Sequence, residues 1–389
     1  MKIGITCYPT YGGSGAVATE LGKELAERGH EVHFVSYAQP FRLGTFEERL
    51  YFHEVEMMPY PLFEYPPYSL ALAVTLHEVV VEHGLDLLHV HYALPHATSG
   101  WITREMLRSE GADVKLVTTL HGTDITLVGQ DPSFRSITRF SIERSDDVTA
   151  VSTWLREQTC QAFGCEEGEI RVIPNFIDPE VYDRDRYPCR RDALAPEADA
   201  VLMHISNFRP VKRVRDVVRI FAAVRDRVTS HLVMVGDGPE RQAAAETAVE
   251  LGVRDGVTFL GKVDSVAELL ACADLFLLPS EEESFGLVAL EALSSGVPVV
   301  GTEGSGLSEV VTHGESGRLH PVGAVDEMAA SAVELLADRG RWERYSEAGR
   351  RDAVERFSAD RVVPRYEGLY RDVLAGEGGA EPRAAGPAP

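Results

Sequence analysis

The 389-residue sequence contains no apolar run approaching the roughly 18 residues that a membrane-spanning helix needs. The stretch after Met1 is strand-like, Ile3 to Cys7, with no basic leader, no apolar leader core and no small-residue cleavage site. These absences predict a cytoplasmic protein with no stable membrane association. Basic residues are scarce: 38 Lys and Arg stand against 61 Asp and Glu, a formal net charge of -23. That balance argues against a general nucleic-acid binder, which needs a basic face. It leaves room for a local basic pocket that holds a small anion. The five cysteines, Cys7, Cys160, Cys165, Cys189 and Cys272, are scattered and odd in number. They lack the spacing of a structural zinc site, and unpaired thiols in a reducing compartment are expected.

The chain is too long for one ordinary core, and about two domains are expected. Short apolar runs alternate with amphipathic helical ones. KIGITC, EVHFVS, Leu85 to His91, Val114 to Leu120 and Val148 to Val151 read as strands, and Ala16 to Arg28 as a helix stopped by Gly29. The rhythm restarts near Ala200 with VLMHIS, a helix over 212–227, HLVMVG, VTFLG, LFLLP and VPVVGT. Strands spaced by helices imply an α/β protein with two parallel sheets, each covered on both faces. The expected division is a first Rossmann-like domain over 1–174, a Pro-rich charged linker over 175–196 and a second Rossmann-like domain over 197–358. A last helix over 359–375 and a disordered Gly-Ala-Pro tail over 376–389 complete it.

Ligands of open parallel sheets sit beyond the carboxyl ends of the strands, so the loops that follow strands are informative. Y11-G-G-S-G15 opens the first helix, and Gly12, Gly13 and Ser14 are candidate contacts to a phosphate or carboxylate. It is not G-x-G-x-x-G, and EVHFVS carries no acid at its tip to hold an adenosine ribose, which weighs against a nicotinamide enzyme. T118-T-L-H-G-T-D124 sets His121 at a strand tip, where it can bond a sugar hydroxyl or polarise a leaving group. H89-V-H-Y-A-L-P-H96 lacks a nearby carboxylate or cysteine, so no metal is expected there. Tyr92 or one of these histidines should instead line an acceptor cleft.

In S206-N-F-R-P-V-K-R213, the cations Arg209, Lys212 and Arg213 stand next to a helix start and suit a diphosphate. The most informative segment is P279-S-E-E-E-S-F-G-L-V-A-L-E291. Glu283 falls in the loop after LFLLP. Glu291 falls two turns into the next helix, where a carboxylate can accept two ribose hydroxyls. The stretch between them, Ser284, Phe285, Gly286, Leu287 and Val288, opens the helix and aims N–H groups at phosphate oxygens. G301-T-E-G-S-G306 should wall the same pocket, as should G236-D-G-P-E240, and the backbone at Gly261 and Lys262 could read a base edge.

Together, ESFGLVALE, GDGPE, LFLLPS and SGVPVVGT resemble the retaining glycosyltransferases of family four, over almost the whole chain to about Tyr370. The resemblance implies a GT-B fold, two Rossmann-like domains facing each other across a cleft, with the last helix crossing back to the first domain. It implies a nucleotide-sugar donor on the second domain, with Glu291 on the ribose, Glu283 on the transferred sugar, Arg209 and Lys212 on the diphosphate and Gly13 and Asn207 nearby. The family often has Gly-Arg ahead of its lysine where this chain has Ser206-Asn207, so Arg209 stands in from a shifted position.

Narrower strings, among them HVHYALPHA, VTTLHGTDIT, IPNFID and HISNFRPVKR, resemble the branch of that family that uses UDP-N-acetylglucosamine and L-malate in the first step of bacillithiol formation. For such a dianionic acceptor the candidates are Ser14, Tyr92, Thr118, Thr119, His121 and an arginine, Arg139 or Arg144. The catalytic candidates are His121, Lys212, Arg209 and Glu283, with no essential metal or cofactor. Asp183-Arg184-Asp185, a metal-binding pattern elsewhere, lies in the linker and reads as a solvated charge run. The family is often dimeric, so the resemblance leaves room for a homodimer without fixing the oligomeric state. Rival readings are a nicotinamide oxidoreductase, a non-catalytic sugar or nucleotide binder, and a family-four enzyme with another small or lipid-linked acceptor.

Overall fold

The computed structural model describes residues 1–10, 12–44, 48–58, 66–195 and 197–377. Tyr11 of the first glycine-rich loop, Pro196 of the expected linker and 378–389 of the expected tail lie outside the described residues. The chain divides into two compact units: Met1–Pro174 with the chain from Val362 onward, and Asn175–Arg361.

The first unit is built on a seven-stranded parallel sheet. Its strands are β1 (Lys2–Thr6), β2 (Glu31–Ser36), β3 (Leu50–Glu54), β4 (Leu87–His91), β5 (Lys115–Leu120), β6 (Asp147–Ala150) and β7 (Arg171–Val172). Their order is β3-β2-β1-β4-β5-β6-β7. The second unit carries β8 (Ala200–Ile205), β9 (Ser230–Val235), β10 (Val257–Gly261), β11 (Leu275–Leu278), β12 (Val299–Thr302) and β13 (Gly317–His320), in the order β10-β9-β8-β11-β12-β13. The central strands β4, β8 and β11 are buried at every position, which is why they are mostly apolar, interrupted only by His89 and His91 in β4 and His204 in β8. The reading of the chain passed over β3, β7 and β13. All three are edge strands with a single neighbour, and β3 is half-exposed along LYFHE, so none carries a continuous apolar signal.

In each sheet the strand order reverses once, between β1 and β4 and between β8 and β11. Connections diverge to opposite faces there, leaving a crevice beyond the carboxyl ends. The loops that leave β1, β4, β8 and β11 are those with the glycine-rich, histidine, basic and double-glutamate segments.

Residues 175–195 pack within the second unit. Ile177 exchanges backbone bonds with the Phe357–Ala359 segment, and Ser294 Oγ donates to the Tyr182 carbonyl at 3.2 Å. The solvated reading of Asp183-Arg184-Asp185 needs correction. Arg350 donates to Asp183 at 2.7 Å, and the Arg184 guanidinium donates to the Ala271 and Ala273 carbonyls beneath the Trp342 ring. The expectation of unpaired thiols is also corrected. Cys160 is bonded to Cys165 and Cys189 to Cys272, leaving Cys7 free and buried. The second pair joins residues 83 apart in sequence, a proximity that only the folded chain creates.

The last helix, Ala359–Ala375, starts in the second unit and ends in the first. Val362, Val363, Tyr366, Leu369, Tyr370 and Val373 are all buried, and the Tyr370 hydroxyl lies 2.7 Å from His89 Nδ1. A chain ending at Arg361 should therefore expose apolar surface on the first unit. The expected result is strong binding of a hydrophobic dye and loss of a cooperative thermal transition. A truncated chain that melts like the intact one would show that this helix is not part of the first core.

Candidate active site

In the second unit four loops meet. The loop after β9 lies directly on the loop after β8. A Cβ on Gly236 would stand 1.8 Å from the Ser206 carbonyl oxygen, and one on Gly238 2.0 Å from that of Asn207. Gly236 also has φ +116°, so only glycine serves the turn. The Glu240 N–H donates to the Phe208 carbonyl at 2.9 Å. The loop after β11 is tied to the basic loop through Glu281 N–H to Val211 O, 2.8 Å. The loop after β12 closes on it through Gly306 N–H to Glu283 O, also 2.8 Å.

At this junction Lys212 Nζ lies 2.6 Å from Glu283 Oε1, which also accepts the Ser280 hydroxyl at 2.7 Å. Glu283 is buried and Lys212 half-buried. Removing either partner would leave a poorly solvated charge. Arg213 is spent on Asp216, at 2.6 Å. Arg209 is exposed and makes no ion pair among the described residues, and Asn207 beside it is also exposed. The helix Leu287–Ser294 begins at Gly286, so Ser284 and Phe285 precede it and Leu287 and Val288 form its first turn. Glu291 lies just over one turn in, not two, because the helix starts late. Glu291 is buried, and Tyr182 Oη donates to its Oε1 at 2.6 Å. Gly261 has φ +74° and receives the Gly236 N–H on its carbonyl, with Lys262 exposed next to it.

In the first unit the glycine-rich loop enters the helix Gly13–Glu27. A Cβ on Gly15 would stand 2.6 Å from the Tyr8 carbonyl, so this close approach admits only glycine. Gly13 is exposed and Ser14 half-exposed at the helix start. Across the switch point, His121 Nε2 lies 2.8 Å from His91 Nδ1, and the Tyr92 ring sits 5.3 Å from that of His121. Burial, with His96 close by, pushes His121 down to about 3, and burial also holds His91 well below its ordinary range. Both rings are neutral at pH 7. Among the described residues His121 Nδ1 and the buried His91 Nε2 have no hydrogen-bond partner. Tyr92 adopts φ +89°, a conformation that non-glycine residues rarely keep outside functional sites.

Asp124 holds the two loops together. Its Oδ1 accepts the N–H groups of Gly122 at 2.9 Å and His121 at 3.2 Å, and Oδ2 accepts that of Ala93 at 3.1 Å. Neither Asp124 nor Tyr182 was singled out from the sequence. HGTD offered a signal for the first, since an aspartate three residues past a strand tip can cap its own loop. Tyr182 lies 109 residues from Glu291 and offered none.

Several acceptor candidates are not brought together. Thr118 and Thr119 point to opposite faces of β5. Thr118 Oγ1 bonds Ser145 at 2.7 Å, and Thr119 Oγ1 bonds Thr149 and His89, each at 2.7 Å, so both hydroxyls are spent inside the unit. Arg139 is exposed and paired with Glu143 at 2.7 Å. Arg144 is half-buried, with its guanidinium 5.2 Å over the Phe140 ring and no carboxylate partner among the described residues.

Residues 11–181 match the family described as Glycosyltransferase Family 4, and residues 199–338 match Glycosyl transferases group 1. The chain is similar, at 48% identity over 375 residues, to an N-acetyl-alpha-D-glucosaminyl L-malate synthase of Bacillus anthracis. The match covers 96% of this chain and 97% of that protein. It is 30% identical to a D-inositol 3-phosphate glycosyltransferase of Acidothermus cellulolyticus, covering 94% of this chain and 86% of that one. Among solved structures, sucrose-phosphate synthase from Thermosynechococcus elongatus matches with TM-score 0.78 at 21% identity, over 96% of this chain and 99% of that one. Alr3699/HepE of Anabaena, solved with UDP and glucose, has the same TM-score and identity, over 95% and 98% of the two chains. These structural likenesses establish the GT-B architecture.

Burial pushes the Asp124 carboxyl up from 3.8 to about 6, against the pull of its backbone donors. The folded chain therefore keeps this proton to higher pH than the unfolded one. The stability it contributes is fully present below about pH 4 and lost as pH rises through about 6. Urea midpoints of wild type and Asp124→Asn, compared from pH 4 to 7, should show the wild-type advantage shrinking across that window. A constant difference would mean that the group titrates normally.

Proposed function

Because the chain belongs to glycosyltransferase family 4, we propose that it transfers N-acetylglucosamine from UDP-N-acetylglucosamine to the hydroxyl of L-malate, with retention at the anomeric carbon. What carries the substrate assignment is the end-to-end likeness to the malate synthase of Bacillus anthracis. The geometry supports it with a built anion site on one unit and a neutral imidazole beside a strained tyrosine on the other. The product is the one that the bacillithiol branch of the family makes.

In this reading the donor lies on the second unit. Glu291, oriented by Tyr182, takes the ribose hydroxyls. Gly261 and Lys262 border the base. Arg209 and Lys212, with the N–H groups at Gly286, Leu287 and Val288, take the diphosphate. Before donor arrives, the Lys212 charge is balanced by Glu283. A diphosphate competes for that ammonium and frees Glu283 to accept hydroxyls of the sugar. The acceptor lies on the first unit against Ser14, Tyr92 and His121. Of the two arginine candidates, Arg139 is paired with Glu143, and Arg144 caps the carboxyl end of its helix beside the start of β6, away from the strand tips that carry Tyr92 and His121, so neither is assigned to the malate carboxylates.

The chemistry is a front-side substitution. The bond from the anomeric carbon to the diphosphate oxygen breaks as the bond to the malate hydroxyl oxygen forms on the same face. The hydroxyl proton passes to the departing diphosphate, and UDP leaves. The protein contributes position and electrostatic stabilisation rather than a covalent intermediate. A neutral His121 suits this. With Nε2–H donated to His91, its Nδ1 accepts a hydrogen bond from a substrate hydroxyl and so aims that oxygen, without taking its proton. The cations and helix end neutralise the leaving group, so no metal is required.

Incubation with UDP-N-acetylglucosamine, with and without L-malate and with no added metal, should release UDP only when malate is present. The product mass should equal N-acetylglucosamine plus malate less water. Release driven by another acceptor, small or lipid-linked, would overturn the malate assignment and keep the donor site. No turnover of any UDP-sugar would overturn the reaction.

Tyr182→Phe removes the bond that aims Glu291. The donor KM should rise roughly fivefold to tenfold with kcat little changed, while Glu291→Ala weakens donor binding further. An unchanged KM for Tyr182→Phe would detach Glu291 from the ribose.

A further inference from the structure

Far from the loops just described, three histidines of the first unit converge. His33 lies toward the amino end of β2, His53 on the neighbouring edge strand β3, and His83 at the last position of the helix Tyr68–His83. One ring nitrogen from each lies within 4.8 Å of the others. His33 Nδ1 is 2.9 Å from His53 Nε2. The His83 ring centre is 4.5 Å from that of His33 and 5.1 Å from that of His53. A hydrogen bond accounts for the first two rings. It does not account for the third, whose nitrogens have no hydrogen bond among the described residues.

The surroundings have the character of a ligand shell. His33 is 1% exposed, and its second nitrogen, Nε2, lies 3.0 Å from Glu31 Oε1. A carboxylate behind an imidazole fixes the tautomer and leaves the other nitrogen to act as ligand. Here that nitrogen is Nδ1, the one that faces His53. His83 closes its helix, where the dipole favours a cation. Glu82 adds a carboxylate near His53. Lys2 opposes this in part, but its ammonium is committed to Glu31, at 3.3 Å, and to the His83 carbonyl, at 2.9 Å. Burial holds His33 and His53 below the ordinary imidazole range, so both are neutral at pH 7, as metal ligands must be.

We propose that His33, His53 and His83 form a three-imidazole site for a divalent transition-metal ion of the zinc class, with water in the remaining position. The ion clamps the edge strand β3 to β2 and to the end of the helix. Imidazole sets of this kind favour zinc, cobalt, nickel or copper over magnesium or calcium. In a tetrahedral site with metal–nitrogen bonds of about 2.0–2.1 Å, ligand nitrogens stand about 3.3 Å apart. The three rings reach that spacing by a slight opening of the His33–His53 pair and an approach of His83. The ion is structural, and the transfer reaction does not pass through it.

The test uses the full chain without a histidine tag, stripped with chelator and titrated with cobalt(II). Saturable binding of a single ion with the visible absorption of four-coordinate cobalt is expected. The same ion, or zinc, should raise the thermal midpoint. His53→Gln and His83→Ala should each abolish the absorption and the thermal shift, and Glu31→Gln should weaken affinity about tenfold. The half-exposed positions of His53 and His83 make these variants tolerable to the fold, and UDP release with malate serves as the check that they are intact. Absence of saturable cobalt binding in the wild type would overturn the site. So would either histidine variant binding like the wild type while remaining active.

Discussion

A parallel sheet cannot bind a ligand just anywhere. Its strands are covered on both faces by helices, and its polar openings lie where connections part at a reversal of strand order. Both sheets here reverse once, between β1 and β4 and between β8 and β11. Apart from Gly261 and Lys262, at the end of the edge strand β10, the loops with unusual chemistry leave one of these strands or an immediate neighbour. The glycines at 236 and 238 let two such loops approach one another through backbone, and Gly15 lets its own loop fold back on the Tyr8 carbonyl. The ion pair of Lys212 with Glu283 follows from the same crowding, since loops from β8 and β11 meet there.

Charge is distributed to suit that arrangement. The chain as a whole is strongly acidic, yet the loop after β8 gathers Arg209, Lys212 and Arg213 within five positions. The three do not do the same work. Arg213 serves its own helix through Asp216, Lys212 is held by Glu283, and Arg209 is left open to solvent. Arg209 is therefore open to an anion as it stands, and Lys212 only by exchange with its carboxylate. Local pairing keeps the cluster from being an uncompensated positive hole.

Histidine serves the first unit in several ways. His89 is locked between Tyr370 and Thr119, which fastens the last helix to the sheet. His91 and His121 form a neutral pair beside Tyr92 at the carboxyl ends of β4 and β5. His33, His53 and His83 gather at the other side of β1. Burial acts on most of these rings by disfavouring the charged form. Only the partner of each ring distinguishes a fastener from a ligand.

Local signals were enough for the parallel α/β class, for the central strands and for the loops that hold the donor and acceptor candidates. Continuous apolar runs, helix starts and glycine-rich loops act over a few residues, so they are written along the chain. The pairing of Glu283 with Lys212, of Glu291 with Tyr182, and of Cys189 with Cys272 joins positions 71, 109 and 83 residues apart. No local pattern encodes such separations. The edge strands escaped notice because a strand with one neighbour need not be apolar. The threonines of β5 misled because TT beside HGTD suggests a ligand shelf, whereas strand alternation turns the two hydroxyls to opposite faces and into other partners. The sequence determined which residue types could meet a nucleotide-sugar. The tertiary structure alone decided which were already committed to one another, because a side chain's free valence depends on neighbours that folding brings from afar.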